Sequence, residues 1–212
     1  MADVELFWDP VCPFAWITSR WVVEVAGQRA LEVSWRPISL RLLNDGRYDD
    51  PDLAAKEPGH AVGLALLRVA AAVEEGHGNA AVGELYTAVG QAIHVHPDPD
   101  GFVTVGAATL AERALADCGL PAELDRAVDD EGRDNLIGQS TDLAVRRTGG
   151  DVGTPIITFG PPDGPSFFGP VISRVPRGPE ALALWEAVET LGRHPGFSEL
   201  KRSLREKPQV AS

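Results

Sequence analysis

The chain has 212 residues, 44% of them hydrophobic, and a formal net charge of −12; that is enough apolar content for one domain with a full core, or one domain with a large insertion. The acidic balance speaks against nucleic acid or an anionic membrane as partner, because both ask for clustered Lys and Arg, and it reads as a solvated surface. Two cysteines, Cys12 and Cys118, are too few for a disulfide scaffold, "MADVELFWDP" lacks the basic and long apolar regions of a secretory signal, and no apolar run is long enough to span a bilayer, so a cytoplasmic setting is expected.

In chain order, "VELFW" (residues 4–8) reads as a buried strand, and Pro10 and Pro13 bracket Cys12 in the turn that follows. Phe14, Ile17, Trp21, Val22 and Val25 recur at helical spacing, with Gly27 as a C-cap. "LEVSWRPISL" (31–40) has strand composition, with a Pro that suggests an edge or a bend. Residues 41–58, rich in Asp, Asn, Gly and Pro, read as loop. Helical periodicity then runs over 60–76, 79–93, 101–118, 121–129 and 131–147, broken at "GHG", "HPDPDG", "GLP" and "DEG". Strand character returns in "IITF" (156–159), followed by the turn "GPPDGP" and "SFFGPVI", a hairpin pattern. A last amphipathic helix covers 178–192.

This order is βαβ, a helical block, then ββα, an α/β fold with inserted helices. It predicts one sheet-bearing domain from residues 1–40 and 150–194, a helical insertion subdomain from 41–149, and a C-terminal helix or frayed tail from 195–212.

The strand-to-helix turn carries the chemistry. Pro13 fits the first helical turn, where its missing N–H costs nothing. A sulfur just ahead of it feels the positive end of the helix dipole and free N–H groups, both of which favour thiolate. Cys12 is therefore expected to have a pKa below the usual ~8.5 and to act as a nucleophile at neutral pH. Redox turns of this build usually hold a second cysteine three residues on, where this chain has Ala15. Cys118, in "ALADCGLP", reads as apolar filler at a helix end.

The segments "FWDPVCPFAW", "VSWRPISL", "DVGTPIITF" and "SFFGPVISR" resemble the DsbA-like branch of the thioredoxin superfamily, close to 2-hydroxychromene-2-carboxylate isomerase and kappa glutathione transferase. "CPFAWITSRWVVEVA", "ISLRLLN", "GLPAELDRA" and "HPGFSELKR" narrow the resemblance to the mycothiol-dependent nitroreductase type. It implies a thioredoxin-like fold with an all-helical insertion, no metal, and a low-molecular-weight thiol, mycothiol or glutathione, as co-substrate. It also implies an oxidoreductase with Cys12 as the catalytic residue. Pro13, Phe14, Ala15, Val152, Thr154 and Pro155 would shape the thiol pocket, with the Thr154–Pro155 peptide cis. The partners implied are that thiol and a disulfide, nitro or other electrophilic compound, with a homodimer left open.

The nearest relatives resemble Cys-Pro-x-Cys, and Ala15 departs from them. A monothiol site that forms a mixed disulfide needs an external thiol to resolve it. The isomerase and transferase relatives use a Ser in the cysteine position and activate bound glutathione. An isomerase or transferase, or a non-catalytic thiol-binding module, therefore stays open beside the oxidoreductase.

Other residues are weaker candidates. Asp9, three residues before Cys12, is either a turn former or a carboxylate that raises the cysteine pKa or moves its proton. Phe14, Trp8 and Trp16 offer an aromatic wall for a flat substrate. Arg174 and Arg177 offer a cation for a polar ligand head. "HVHPDPD" (94–100) is a poor metal template and reads as an interhelical loop that overhangs the site.

Overall fold

The computed structural model describes residues 2–150, 152–202 and 206–210. Four strands, β1 (Val4–Trp8), β2 (Val33–Pro37), β3 (Ile156–Phe159) and β4 (Ser166–Phe168), form one sheet in the order β2-β1-β3-β4. β1 runs parallel to β2 and antiparallel to β3, and β4 is antiparallel to β3. Helix α1 (Pro13–Arg29) joins the parallel pair, and α9 (Gly178–Arg193) follows β4.

The period-two alternation of the strands sorts their side chains onto two faces. Leu6, Trp8, Ile157 and Phe159 belong to the main core together with Ile17, Trp21 and Val25 of α1 and Ala181 and Trp185 of α9. Trp21 ties the two helices together, donating Nε1–H to the Ala181 carbonyl at 2.9 Å and meeting the Trp185 ring at 5.3 Å. On the other face Phe7, Ile38 and Ile156 pack against Ala144 of α8 (Asp134–Thr148), with Leu143 and Val152 beside them. Glu5, on that same face and 7% exposed, is met by Arg147 of α8 and Arg36 of β2. α8 lies within the stretch read from sequence as insertion, yet it covers the sheet.

β2 is an edge strand, and the Asn79 side chain blunts it. That amide accepts from Trp35 N–H at 2.7 Å and donates to the Trp35 carbonyl at 2.9 Å, standing in for a neighbouring strand. Asn79 opens α5 (Asn79–Gly90), which packs with α4 (Glu57–His77). α5 runs on into a π-helical turn, Gln91–Val95, and the block closes with α6 (Phe102–Val105) and α7 (Ala107–Asp117).

Several sequence boundaries move for identifiable reasons. The 31–40 strand stops at Pro37 because Ser39 caps a short helix, α2 (Leu40–Leu43), its hydroxyl accepting from Leu42 N–H. The expected loop 41–58 also holds α3 (Pro51–Ala54), capped by Asp50. The 101–118 helix is split at Gly106, whose φ of +81° lies outside the helical range. Residues 122–129 form a 3₁₀ rather than an α helix. β4 stops at Phe168, ahead of Gly169 at φ +102° and Pro170, which has no N–H to give a ladder. Beyond α9 the described residues form no helix, and Gln209 N–H bonds the Ser173 carbonyl at 2.7 Å. The rest of the predicted tail, 203–205 and 211–212, lies outside the described residues, as does Asp151.

Candidate active site

β1 ends at Trp8, and a four-residue turn delivers Cys12 to the N-terminus of α1 as its N-cap. Pro13 holds the first helical position. Cys12 Sγ accepts from Ala15 N–H at 3.4 Å and points its own proton to the Thr154 carbonyl, also at 3.4 Å. Thr154 is fixed in turn, its hydroxyl donating to the Phe7 carbonyl at 3.2 Å, and its bond to Pro155 is cis. The Pro155 carbonyl accepts from Gly169 N–H at 2.8 Å, which links this loop to the end of β4. Two separate chain segments thus meet at the sulfur, and the end of β4 braces one of them.

The acidity of that sulfur reverses the sequence expectation. Cys12 is only 8% exposed, and burial pushes its thiol up to about 12. The N–H groups of Ala15 and Phe14 pull it down, as the helix-end argument requires, and the Asp9 carboxylate pushes it up again. Burial wins, so the thiol is protonated at neutral pH.

Asp9 is fully buried. Oδ1 accepts from Val11 N–H at 3.0 Å and Oδ2 from Leu40 N–H at 2.8 Å, so the carboxylate joins the active-site turn to the start of α2. Burial raises its pKa to about 7, against those two hydrogen bonds.

His94, in the π-helical turn, lies 2.9 Å through Nε2 from the Pro10 carbonyl. A carbonyl can only accept, so Nε2 carries the proton and Nδ1 keeps its lone pair. Burial lowers the pKa to about 4, which keeps the ring neutral at ordinary pH. His94 also stacks on Trp16, centroids 5.8 Å apart. The insertion therefore grips the turn that carries Cys12.

Of the residues picked out from sequence, Cys12, Pro13, Phe14, Ala15, Thr154 and Pro155 converge on this turn and loop, with Phe14 half-buried. The others stand elsewhere. Val152, half-buried, packs against Phe7, Ile38 and Ile156 on the α8 face. Trp16 is 1% exposed and Trp8 2% exposed, stacked in the interior with Tyr86 and His94, so neither forms a wall for substrate. Asp9 is sealed from any ligand in this state. Arg174 gives both terminal nitrogens to Glu180, at 3.0 and 2.7 Å, and Arg177 pairs with Glu24. Cys118 caps the end of α7, and both cysteines are free thiols.

Sequence reasoning missed Arg20 and underrated His94. Only the contact with Pro10 gives His94 a role, and that contact spans 84 residues of chain. "TSRW" offered no signal that its Arg would be partly buried with one nitrogen unpartnered.

Residues 11–202 match the sequence profile of the Rv2466c-like family, described as mycothiol-dependent nitroreductase Rv2466c. The chain belongs to that family. A relative, "Uncharacterized protein Rv2286c" of Mycobacterium tuberculosis, is 30% identical over 211 residues, covering 95% of this chain and 82% of its own. Among solved structures, the probable DsbA oxidoreductase SCO1869 from Streptomyces coelicolor is similar at TM-score 0.56 and 14% identity, with 100% of this chain and 99% of that one covered. A 2-hydroxychromene-2-carboxylate isomerase is similar at TM-score 0.51 and 13% identity, with 90% and 94% covered. At such identities the likeness is one of fold, and it agrees with a thioredoxin fold carrying a helical insertion. Within this Rv2466c-like chain, the strand-to-helix turn and the loop before β3 face each other across Cys12.

Proposed function

We propose that the protein is a low-molecular-weight-thiol-dependent oxidoreductase that works through the single thiol of Cys12. The observation that carries this reading is the setting of Sγ: it caps α1 and bonds the Thr154 carbonyl, and Ala15, not a second sulfur, stands where a resolving thiol would be. The family description names mycothiol as the thiol, and mycothiol is the co-substrate of this reading.

The chemistry is thiol–disulfide exchange. Cys12, once deprotonated, attacks one sulfur of a disulfide R–S–S–R; a Cys12–S–S–R bond forms, and RS⁻ leaves and takes up the proton. The thiolate of an external R′SH then attacks the R sulfur of the mixed disulfide. That releases R–S–S–R′ and returns Cys12 as thiolate, so each cycle consumes one R′SH and liberates one RSH. The N–H groups of Ala15 and Phe14 stabilise the sulfur anion at both ends of the cycle. Neutralising Asp9 removes the charge that opposes ionisation.

The protonated state of Cys12 favours a second reading. A buried neutral thiol at a helix N-terminus can donate a hydrogen bond to the sulfur of a bound thiolate, as a serine hydroxyl would. The protein would then be an isomerase, which returns its bound thiol at the end of the cycle, or a transferase, which joins that thiol to the substrate; neither oxidises it. Turnover of a disulfide or nitro compound, with the external thiol assayed at the start and the end, separates the two. Reduced product appearing with oxidation of the external thiol supports the oxidoreductase, and no reduction of either compound, with the thiol bound but not oxidised, supports the alternative.

A further inference from the structure

Arg20 is unlike the other partly buried arginines among the described residues. Arg36 and Arg147 face Glu5, Arg68 faces Asp134, and Arg41 and Arg133 each face a carboxylate of their own. Arg20 has none within ion-pair distance among the described residues. Its Nε donates to Ser19 Oγ at 3.2 Å, and its Nη1 to Thr87 Oγ1 at 2.9 Å. Its Nη2 is buried with no acceptor at all. The guanidinium lies over the Trp16 ring at 4.3 Å and nears the Tyr86 ring at 5.8 Å. The Tyr86 hydroxyl, also buried, has no aligned partner. Hydroxyls and ring faces solvate a full charge poorly, and a withdrawn cation is held at a cost unless an anion meets it.

The place matters as much as the vacancy in the charge balance. Arg20 lies eight residues beyond Cys12 along α1, on the side where α5 supplies Thr87. At the rise of an α-helix that is about 12 Å from the sulfur end. An extended ligand the size of three residues spans about 10 Å. The guanidinium folds back over Trp16, one helical turn nearer the sulfur, so a ligand with its sulfur at Cys12 can bring its far end to it.

We propose that Arg20 is the seat of a ligand carboxylate, so that the oxidised substrate attacked by Cys12 is an acid. This rests on the thiol-exchange reading of Cys12 and narrows its substrate class. The carboxylate takes the unmet Nη2 and replaces the Thr87 hydroxyl on Nη1, so the end of the planar fork holds it through two parallel N–H bonds. The guanidinium keeps its stack on Trp16. A neutral disulfide of the same shape leaves the charge as unmet as it is in the empty protein.

Binding can be measured without turnover on the full chain carrying Cys12→Ser. The probes are oxidised glutathione acetylated on both amino groups, a disulfide whose only charges are carboxylates, and its uncharged tetraester, with affinity read by calorimetry. The acid is expected to bind at least 10-fold more tightly than the ester. Adding Arg20→Gln is expected to bring the two to equal affinity. Arg20→Lys keeps the charge but not the fork, and is expected to retain part of the preference. Should Arg20→Gln not fold, the lysine variant decides: an undiminished preference there overturns the proposal. So does equal binding of acid and ester by the Cys12→Ser protein, no binding of the acid, or a preference that survives Arg20→Gln. Redox turnover of the parent is a separate measurement, so the thiol-exchange reading and the carboxylate seat fail independently.

Discussion

Gly63 of α4 sits directly on the Asp9 carboxylate. A Cβ at position 63 would stand 2.8 Å from Oδ1 and 3.2 Å from Val11 Cγ2. The insertion thus closes over the carboxylate nearest the active sulfur, and only the smallest residue allows it. Gly63→Ala is expected to force Asp9 or α4 aside and to cost about 1–3 kcal/mol, the usual range for overpacking. Urea denaturation of the variant checks this; an unchanged midpoint contradicts the close approach.

Asp9 and His94 bring opposite pH dependences to stability. The folded pKa of Asp9, about 7, lies above its ordinary 3.8, so the folded protein holds a proton that the unfolded chain releases. That contribution is complete below about pH 4 and is lost as the pH rises through 7. His94 falls to about 4 from an ordinary 6.5, so its contribution is present above pH 6.5 and is lost as the pH falls through 4. Between pH 4.5 and 6.5 the two slopes oppose, each at most about 1.4 kcal/mol per pH unit. Relative to the parent, Asp9→Asn is expected to gain stability as the pH rises across this window, and His94→Gln to lose it. Comparing each variant with the parent cancels the other titrating groups. Denaturation at the two pH values checks the signs, and a parental slope in both variants contradicts the assignment.

The burial of Cys12 makes it a slow nucleophile in the protein on its own. Its alkylation rate is expected to climb through pH 10 with no plateau, because the thiol titrates near 12. Asp9→Asn removes the opposing charge and is expected to raise the rate at pH 8 severalfold. Iodoacetamide kinetics across pH checks both, and a midpoint below 8.5 contradicts the dominance of burial.

How far the sequence reveals this protein depends on the range of the interaction. Pro13 after Cys12, the apolar spacing of α1 and the strand composition of 4–8 and 156–159 are local, and each correctly locates its element. The acidity of Cys12 is not local. The dipole and the Ala15 N–H are visible in sequence, but the burial that outweighs them comes from chain brought in from elsewhere. The partner of Arg174 is likewise a matter of the fold: Glu180, six residues on, accepts from both of its terminal nitrogens. Val152 follows the pattern of the site loop, yet its side chain falls on the α8 face. The grip of His94 on Pro10 and the fit of Gly63 to Asp9 depend on how the insertion docks, and no spacing encodes that.

Ala15 is buried within hydrogen-bond reach of Cys12, its N–H pointing at Sγ. Ala15→Cys is expected to supply the missing resolver. The variant should close a disulfide of its own and reduce one equivalent of a disulfide substrate with no external thiol present. Stopped-flow release of the product thiol reads this directly. A variant that stays as dependent on external thiol as the parent contradicts the proposed role of position 15.

The central claim is that Cys12 is the nucleophile and that an external thiol must release it. Steady-state turnover of a disulfide substrate, measured for the parent and for Cys12→Ser over a range of external thiol concentrations, tests it most directly. The account predicts that the parent rate rises with thiol from zero and that one external thiol is consumed for each substrate thiol released, while Cys12→Ser shows no turnover above the uncatalysed rate. Turnover by Cys12→Ser as fast as the parent would contradict it and move the chemistry to the sulfur of a bound thiol.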